Sequence, residues 1–471
     1  MKNQNWHEDR FSQSQGRTSR PRIRPDHQII VVGIGAGPSN PSRDARLRLF
    51  LLGKRKHGDR AMTRTPKDTL VVCGHGMVAQ RFLEELVNRE DRRYRNIIVF
   101  NGEPVPAYNR IQLSALLAGD TTEESLTLKP ERWFREHGIR VHDREPVVAI
   151  DRRARTVTTA TGRVQPYDSL VLATGSRPSQ LGLPGEQLPG VFGFRDLRDT
   201  RTLIELSQQH RRAVVVGGGF LGLEAAEGLR QRGMEVTVLH RGGHVLNRQL
   251  DPTGSQILAE RLTQRGLNIL TGVAPVRFLG RDSVRAVQLT DETLISTDLV
   301  VVATGITPNR ELAEAGGLSC DRGVLVNSQL QTSDPAIHAL GECCQLGDHT
   351  FGLVEPGFQQ AQALARILTS ESRSVRYQPT ATPTRLKISG LPLFSCGQHA
   401  PDDTTESLIW RDTDTGHYCH LLIRCDRLVG AILIGNTADG PWYQERIVTA
   451  DNIARFRSQL PFGQQFCEAA A

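Results

Sequence analysis

The chain of 471 residues has only eight cysteines, at 73, 320, 343, 344, 396, 419, 425 and 467, and no two of them form a C-x-x-C pair. Such scatter excludes a disulfide-built secreted scaffold and fits a reduced, cytoplasmic protein. No apolar run approaches the roughly 18 residues needed to span a bilayer, and no signal-peptide pattern opens the chain. Excess basic charge is missing everywhere except at the front. Residues 1–66 hold 14 Lys/Arg and 5 Asp/Glu, a net of +9 against +7 for the whole chain, which leaves −2 for the remainder. A body so close to neutral argues against nucleic acid as its main partner. What is present is globular: 38% hydrophobic and 23% charged residues, and enough length for two to four domains.

The chain is organised around Arg211–Glu227, R-R-A-V-V-V-G-G-G-F-L-G-L-E-A-A-E. A β-branched run ends at Gly217, Gly219 and Gly222, and an Ala-, Leu- and Glu-rich segment then continues to Arg232 with helical spacing. This predicts a strand, a tight turn and a helix whose first N–H groups bind a pyrophosphate. A second strand, 235–239, follows at the right distance. The pattern occurs twice. Thr69–Glu85 places Gly74, Gly76 and Ala79 in the same three positions, and the strand 96–100 leads to Glu103, suited to a ribose hydroxyl. Two dinucleotide units about 140 residues apart imply one that holds a flavin and one that delivers a nicotinamide. A third match, His27–Pro38, is followed by Pro41 and by neither a second strand nor an acid, so it reads as a decoy. Its surroundings, residues 1–66, are Arg-, Ser- and Pro-rich and read as a disordered extension, with Met62 an alternative start.

Between and beyond the two units, Ala107–Gly119 reads as a loop entering a helix, and 146–172 as strands. Ser333–Cys343 returns toward the first unit before a helix from Pro356 to Leu368. Residues 380–456 alternate short apolar runs, including L-K-I-S-G, H-L-L-I-R and L-V-G-A-I-L-I-G, which predicts a small α+β domain.

The segments E-P-V-P-A-Y-N-R-I-Q-L-S, R-Q-L-D (248–251), Q-T-S-D-P (331–335), F-G-L-V-E-P-G (351–357) and G-N-T-A-D-G-P-W-Y (435–443) extend the signal over most of the chain. Residues 67–456 resemble the pyridine nucleotide-disulfide reductase superfold. Within it they are similar to the flavin-binding half of assimilatory NAD(P)H nitrite reductase large subunits and to the electron-transfer subunit of assimilatory nitrate reductase. The resemblance implies an α/β fold of glutathione-reductase type. FAD would occupy 67–178 and 304–378, NADH or NADPH 179–303, and a small α+β domain 379–471. It also implies that Ala173-Thr174-Gly175 and Ala303-Thr304-Gly305 cross between domains close to the cofactors. Gly341-Glu342 stands where the family places an acid, usually Asp, on the ribityl chain of the flavin. Tyr108, Asn109 and Arg110 are expected to line the flavin side, with Arg110 near the isoalloxazine or pyrophosphate. Glu355 and Pro356 are expected to start a helix aimed at the pyrimidine, and Glu224 to orient the nicotinamide.

The departures narrow the chemistry. There is no C-x-x-x-x-C pair and no cysteine between Cys73 and Cys320, which removes disulfide-reductase and single-cysteine chemistry. No cysteines have iron–sulfur spacing, so nitrite reduction by this chain itself is not expected, and no metal site is. The expected activity is that of an FAD-dependent NAD(P)H oxidoreductase passing electrons to a separate iron–sulfur protein, the catalytic subunit of nitrate or nitrite reductase. The alternatives are a rubredoxin or ferredoxin reductase and a non-catalytic flavin redox sensor. The end of strand 235–239 offers His240 and Arg241 where an acid would favour NADH, and Arg241 suits a 2′-phosphate, so coenzyme choice stays open. Trp442 and Tyr443 read as core, and the adjacent Cys343 and Cys344 as a buried turn. Acceptor, oligomeric state (a homodimer among the options) and the purpose of the arm also stay open.

Overall fold

A computed structural model of the protein describes residues 69–89, 94–369, 374–412 and 414–469, all within the unit Arg64–Ala471. His27–Pro38 and the 1–66 arm lie outside them. The β-branched run Thr69–Cys73 forms β1, and α1 (Met77–Val87) buries Ala79, Phe82, Leu83 and Leu86 against it. Next come β2 (Asn96–Phe100), α2 (Leu113–Ala118), β3 (Ile139–His142) and β4 (Ser169–Leu172). β1 pairs in parallel with β2 on one side and β4 on the other, and β3 extends the β2 edge. Leu70, Val71 and Val72 are fully buried, as expected of a central parallel strand covered on both faces.

After β4 the chain crosses through β5 (Ser176–Pro178) into a second parallel sheet. That half contains β6 (Val191–Gly193), α3 (Leu197–Ser207), β7 (Arg212–Val216), α4 (Phe220–Gln231), β8 (Glu235–His240), α5 (Pro252–Gln264), β9 (Asn268–Thr271) and β10 (Leu299–Val302). Its order is β9-β8-β7-β10-β6, with β7 and β10 buried at the centre. The return strand β11 (Ile306–Pro308) pairs antiparallel with β5. The two crossings are thereby joined to each other. β12 (Ile337–Ala339) then completes the first sheet beside β4, and α6 (Val354–Thr369) packs on α1.

The C-terminal part is a five-stranded antiparallel sheet of β13 (Thr384–Arg385), β14 (Leu393–Gly397), β15 (Glu406–Asp412), β16 (His417–Arg424) and β17 (Arg427–Ile434), ordered β13-β14-β17-β16-β15. Helix α7 (Gly440–Thr449) covers it, with Trp442 and Tyr443 buried in the core. One of the short apolar runs contributes to another core. In L-K-I-S-G, residues 386–388 form no strand, and Leu386 and Ile388 instead anchor in the core beside the second parallel sheet. Among the described residues no helix is long and apolar enough to cross a membrane.

Candidate functional site

The first cradle is the turn between β1 and α1. Gly74 has φ +102°, and a Cβ there would collide with the Ala173 carbonyl. Gly76 caps α1 in extended conformation with no side-chain cap and no acid in the first turn. A Cβ on Gly76 would meet nothing within 4 Å among the described residues. Unpaired N–H groups and a positive dipole end in such a position suit a phosphate. The second cradle repeats the geometry with Gly217 (φ +127°) against the Ala303 carbonyl and an uncapped Gly219. The third positions differ. Ala79 fits with its methyl buried, whereas a Cβ on Gly222 would collide with the Gly217 carbonyl.

Glu103 lies just beyond β2 and is held by two neighbours. The Tyr108 hydroxyl donates to Glu103 Oε2 at 3.0 Å and accepts from the Leu197 N–H at 3.1 Å. Arg110 donates to Glu103 Oε1 and stacks over the Tyr108 ring, 4.8 Å from its centroid. Arg110 thus turns toward Glu103. Gly341, with φ +79°, donates its N–H to Gln360 Oε1 at 2.7 Å. Beside it Glu342 accepts from Ser176 Oγ at 2.7 Å and pairs with Arg195. The helix holding exposed Glu355 starts at Val354, two residues ahead of Pro356. A Cβ on Gly357 would lie 2.5 Å from Val78, so the N-terminal ends of α6 and α1 adjoin.

The crossings are stitched residue by residue. Thr174 Oγ1 donates to the Asn309 carbonyl and Asn309 Nδ2 to the Thr174 carbonyl, each at 2.9 Å. The Asn309 N–H reaches the Gly175 carbonyl at 2.9 Å, and the Gly305 carbonyl accepts from Ser179 N–H at 3.0 Å. Thr304 and Gly305 remain exposed. Both cradles therefore lie directly behind crossings that are hydrogen-bonded to one another.

Glu224 sits on α4 and is buried, with both carboxylate oxygens occupied. Oε2 accepts from Ser114 Oγ of α2 and Oε1 from the backbone N–H of Lys387, each at 2.9 Å. Burial pushes its carboxyl pKa up, partly opposed by the Lys387 charge. Glu224 therefore ties the second unit to the first and to the C-terminal segment. His240 ends β8, and Arg241 follows it, exposed. Cys343 and Cys344 are buried and free, as are Cys73 and the others that burial holds protonated. Among the described residues no group of three His, Cys, Asp or Glu side chains is placed to hold a metal ion. Ser114, Ser176, Arg195 and Lys387 are the site neighbours that motif reading did not single out. Their partners lie 110, 166, 147 and 163 residues away in sequence, and no local pattern marks them.

The residues present fit two dinucleotides: two uncapped helix ends, two turns open where a Cβ would stand, and an acid fixed beyond β2. Comparison with known proteins agrees. Residues 68–364 match the pyridine nucleotide-disulphide oxidoreductase family, and residues 383–450 match the rubredoxin NAD+ reductase C-terminal domain. The chain is 38% identical to a nitrite reductase [NAD(P)H] of Bacillus subtilis, across 79% of this chain and 46% of that protein. It is 36% identical to the assimilatory nitrate reductase electron transfer subunit of the same organism, across 84% of this chain and 51% of that one. The chain thus spans about half the length of these two relatives. Among solved structures it is similar to a ferredoxin reductase of the CYP199A2 system from Rhodopseudomonas palustris. There the TM-score is 0.77 and the identity 28%, covering 86% of this chain and 100% of that one.

Proposed function

This chain belongs to the pyridine nucleotide-disulphide oxidoreductase family and is an FAD-dependent NAD(P)H oxidoreductase, and from that premise we propose that it serves as the electron-transfer component of assimilatory nitrate or nitrite reduction. The acceptor on this reading is a separate metal-centred protein, the catalytic subunit of the nitrate or nitrite reductase. The observation that carries the reading is the state of the thiols next to the first cradle. Cys73, Cys343 and Cys344 are free and buried, and burial pushes each of them up, so none of these three offers a thiolate beside the first cradle. The electrons then have to leave the protein. The similarity to an assimilatory nitrate reductase electron transfer subunit supports where they go.

FAD, when bound, takes a hydride from the nicotinamide and gives electrons up singly. The chain's own groups bind and orient. On this reading residues 67–178 and 304–378 hold FAD, and 179–303 hold the nicotinamide coenzyme. The turn at Gly74–Gly76 and the start of α1 bind the pyrophosphate, while Glu103, fixed by Tyr108 and Arg110, accepts from a ribose hydroxyl. Glu342, held by Ser176 and Arg195, would hold the ribityl chain of the flavin, and the helix end at Glu355 would bind its pyrimidine. Glu224 holds α4 against α2 and would orient the nicotinamide only through that contact.

A second reading, reduction of a rubredoxin or ferredoxin, is favoured by the match of residues 383–450 and by the ferredoxin reductase neighbour. Free cysteines throughout support a cytoplasmic setting. The test is NADH- and NADPH-driven electron transfer, first to a dye and then to an assimilatory nitrate reductase catalytic subunit. Nitrite formed only when that subunit is added supports the proposal. Dye reduction with no nitrite moves the assignment to the second reading, and no flavin reduction at all overturns the enzymatic role.

A further inference from the structure

The two dinucleotide units differ at one chemically decisive place. Beyond β2 the first unit supplies an acid, Glu103, fixed by two partners. Beyond β8 the second unit supplies none. From Val236 to Leu250 there is no Asp or Glu, while Arg241, His244 and Arg248 are present. An acid at this position accepts from a ribose 2′-hydroxyl and repels a 2′-phosphate, and a guanidinium does the reverse.

The structure separates the two candidate cations. The ring of His240 is turned back under the glycine turn, where its Nδ1 accepts from the Gly218 N–H at 3.2 Å. A Cβ on Gly218 would lie 2.8 Å from this ring and one on Gly242 2.7 Å, so the imidazole is wedged between the two backbones. An Nδ1 that accepts a hydrogen bond carries no proton, so the ring is neutral, and burial pushes its pKa down in the same sense. His240 is a pillar of the cradle and offers an anion no charge. Arg241 is the opposite case. Its backbone is fixed because the loop after β8 is tied on both sides. The Leu246 N–H donates to the Gly218 carbonyl at 2.9 Å, and the Gly272 N–H to the Gly242 carbonyl at 2.9 Å. Its side chain is exposed and makes no hydrogen bond or ion pair among the described residues, in contrast to Arg110, Arg195 and Arg230. Arg248, on the same loop, is exposed as well.

Resting on the assignment of the second cradle to the nicotinamide coenzyme, we infer that this cradle selects the phosphorylated coenzyme NADPH, with Arg241 binding the 2′-phosphate and Arg248 adding positive charge. A charge-assisted guanidinium–phosphate contact is strong enough to favour the phosphorylated nucleotide by about tenfold or more.

The test is calorimetric binding of two fragments, 2′,5′-ADP and 5′-AMP, to the full chain and to Arg241→Ala, with coenzyme kinetics alongside. The expected result is about tenfold or tighter binding of 2′,5′-ADP by the wild type. That advantage should be lost in Arg241→Ala while 5′-AMP binding is unchanged, and kcat/KM for NADPH over NADH should fall in parallel. Equal binding of the two fragments, or an advantage that survives Arg241→Ala, overturns the inference. The fragment-binding outcomes are read without turnover. Flavin reduction by neither coenzyme would instead overturn the proposed function, whatever the fragments do.

Discussion

Replacing Glu224 is the sharpest probe of how the halves are held together. In Glu224→Ala the buried Ser114 hydroxyl and the part-buried Lys387 N–H both lose their acceptor. Each orphaned donor costs about 1–3 kcal/mol, and removal of an unfavourably buried charge returns part of that, leaving a net loss of about 2–4 kcal/mol. Glu224→Gln retains an acceptor for the Lys387 N–H and offers an N–H to Ser114 Oγ, so it costs about 1 kcal/mol or less. The assay is denaturant unfolding followed by tryptophan fluorescence, to which Trp410 and Trp442 report from the C-terminal sheet and helix. A pH series adds a signed check. Burial raises the folded pKa of Glu224, so its contribution is complete below the unfolded value of about 4.3 and is lost as pH rises through the folded one. Wild type should therefore lose stability relative to Glu224→Gln as the solution is made less acidic. A Glu224→Ala variant as stable as wild type, or a wild-type-to-Gln difference with the opposite pH slope, would refute the clasp.

Gly222→Ala places a Cβ against the Gly217 carbonyl and should cost about 1–3 kcal/mol. It should abolish reduction by the nicotinamide coenzyme while FAD content, read from the visible spectrum, stays at the wild-type level. Glu103→Gln leaves Arg110 without its counter-charge and weakens FAD retention by about tenfold, measured from flavin release on dilution. Asp251 is buried, which alone would raise its carboxyl pKa, but His420 at 3.6 Å and the Tyr418 hydroxyl at 2.7 Å hold it below the usual range. Its contribution is therefore present above the unfolded value of about 3.9 and lost as pH falls through the folded one. Asp251→Asn should be less stable than wild type at neutral pH, and acid unfolding curves should show that gap closing.

What could be read in the sequence was local. Each cradle is a strand, a turn and a helix inside some twenty residues, so Gly74, Gly76, Gly217, Gly219 and Gly222 declared themselves by spacing. The paired A-T-G segments were legible as crossings, but not the antiparallel pairing of β5 with β11 that ties them together. Long-range partners left no local trace. The clasp at Glu224 joins residues 110 and 163 positions apart, and Arg195 meets Glu342 across 147. In L-K-I-S-G the alternation was real, but Leu386 and Ile388 bury themselves in the neighbouring unit, leaving the Lys387 N–H to Glu224 and no strand partner. His240 and Arg241 were legible as standing where an acid would favour NADH. Only the fold shows that one of them is consumed by the glycine turn.

The central claim is that electrons enter from a nicotinamide coenzyme and leave to a separate metal-centred protein. An anaerobic single-turnover experiment tests it most directly: the FAD-loaded chain is reduced with one equivalent of NADPH, then mixed with the oxidised nitrate reductase catalytic subunit. The account predicts rapid bleaching of the flavin by NADPH, followed by its reoxidation as the partner's metal centre is reduced. Flavin that stays bleached in the presence of every iron–sulfur acceptor, while the coenzyme still reduces it, would contradict the account.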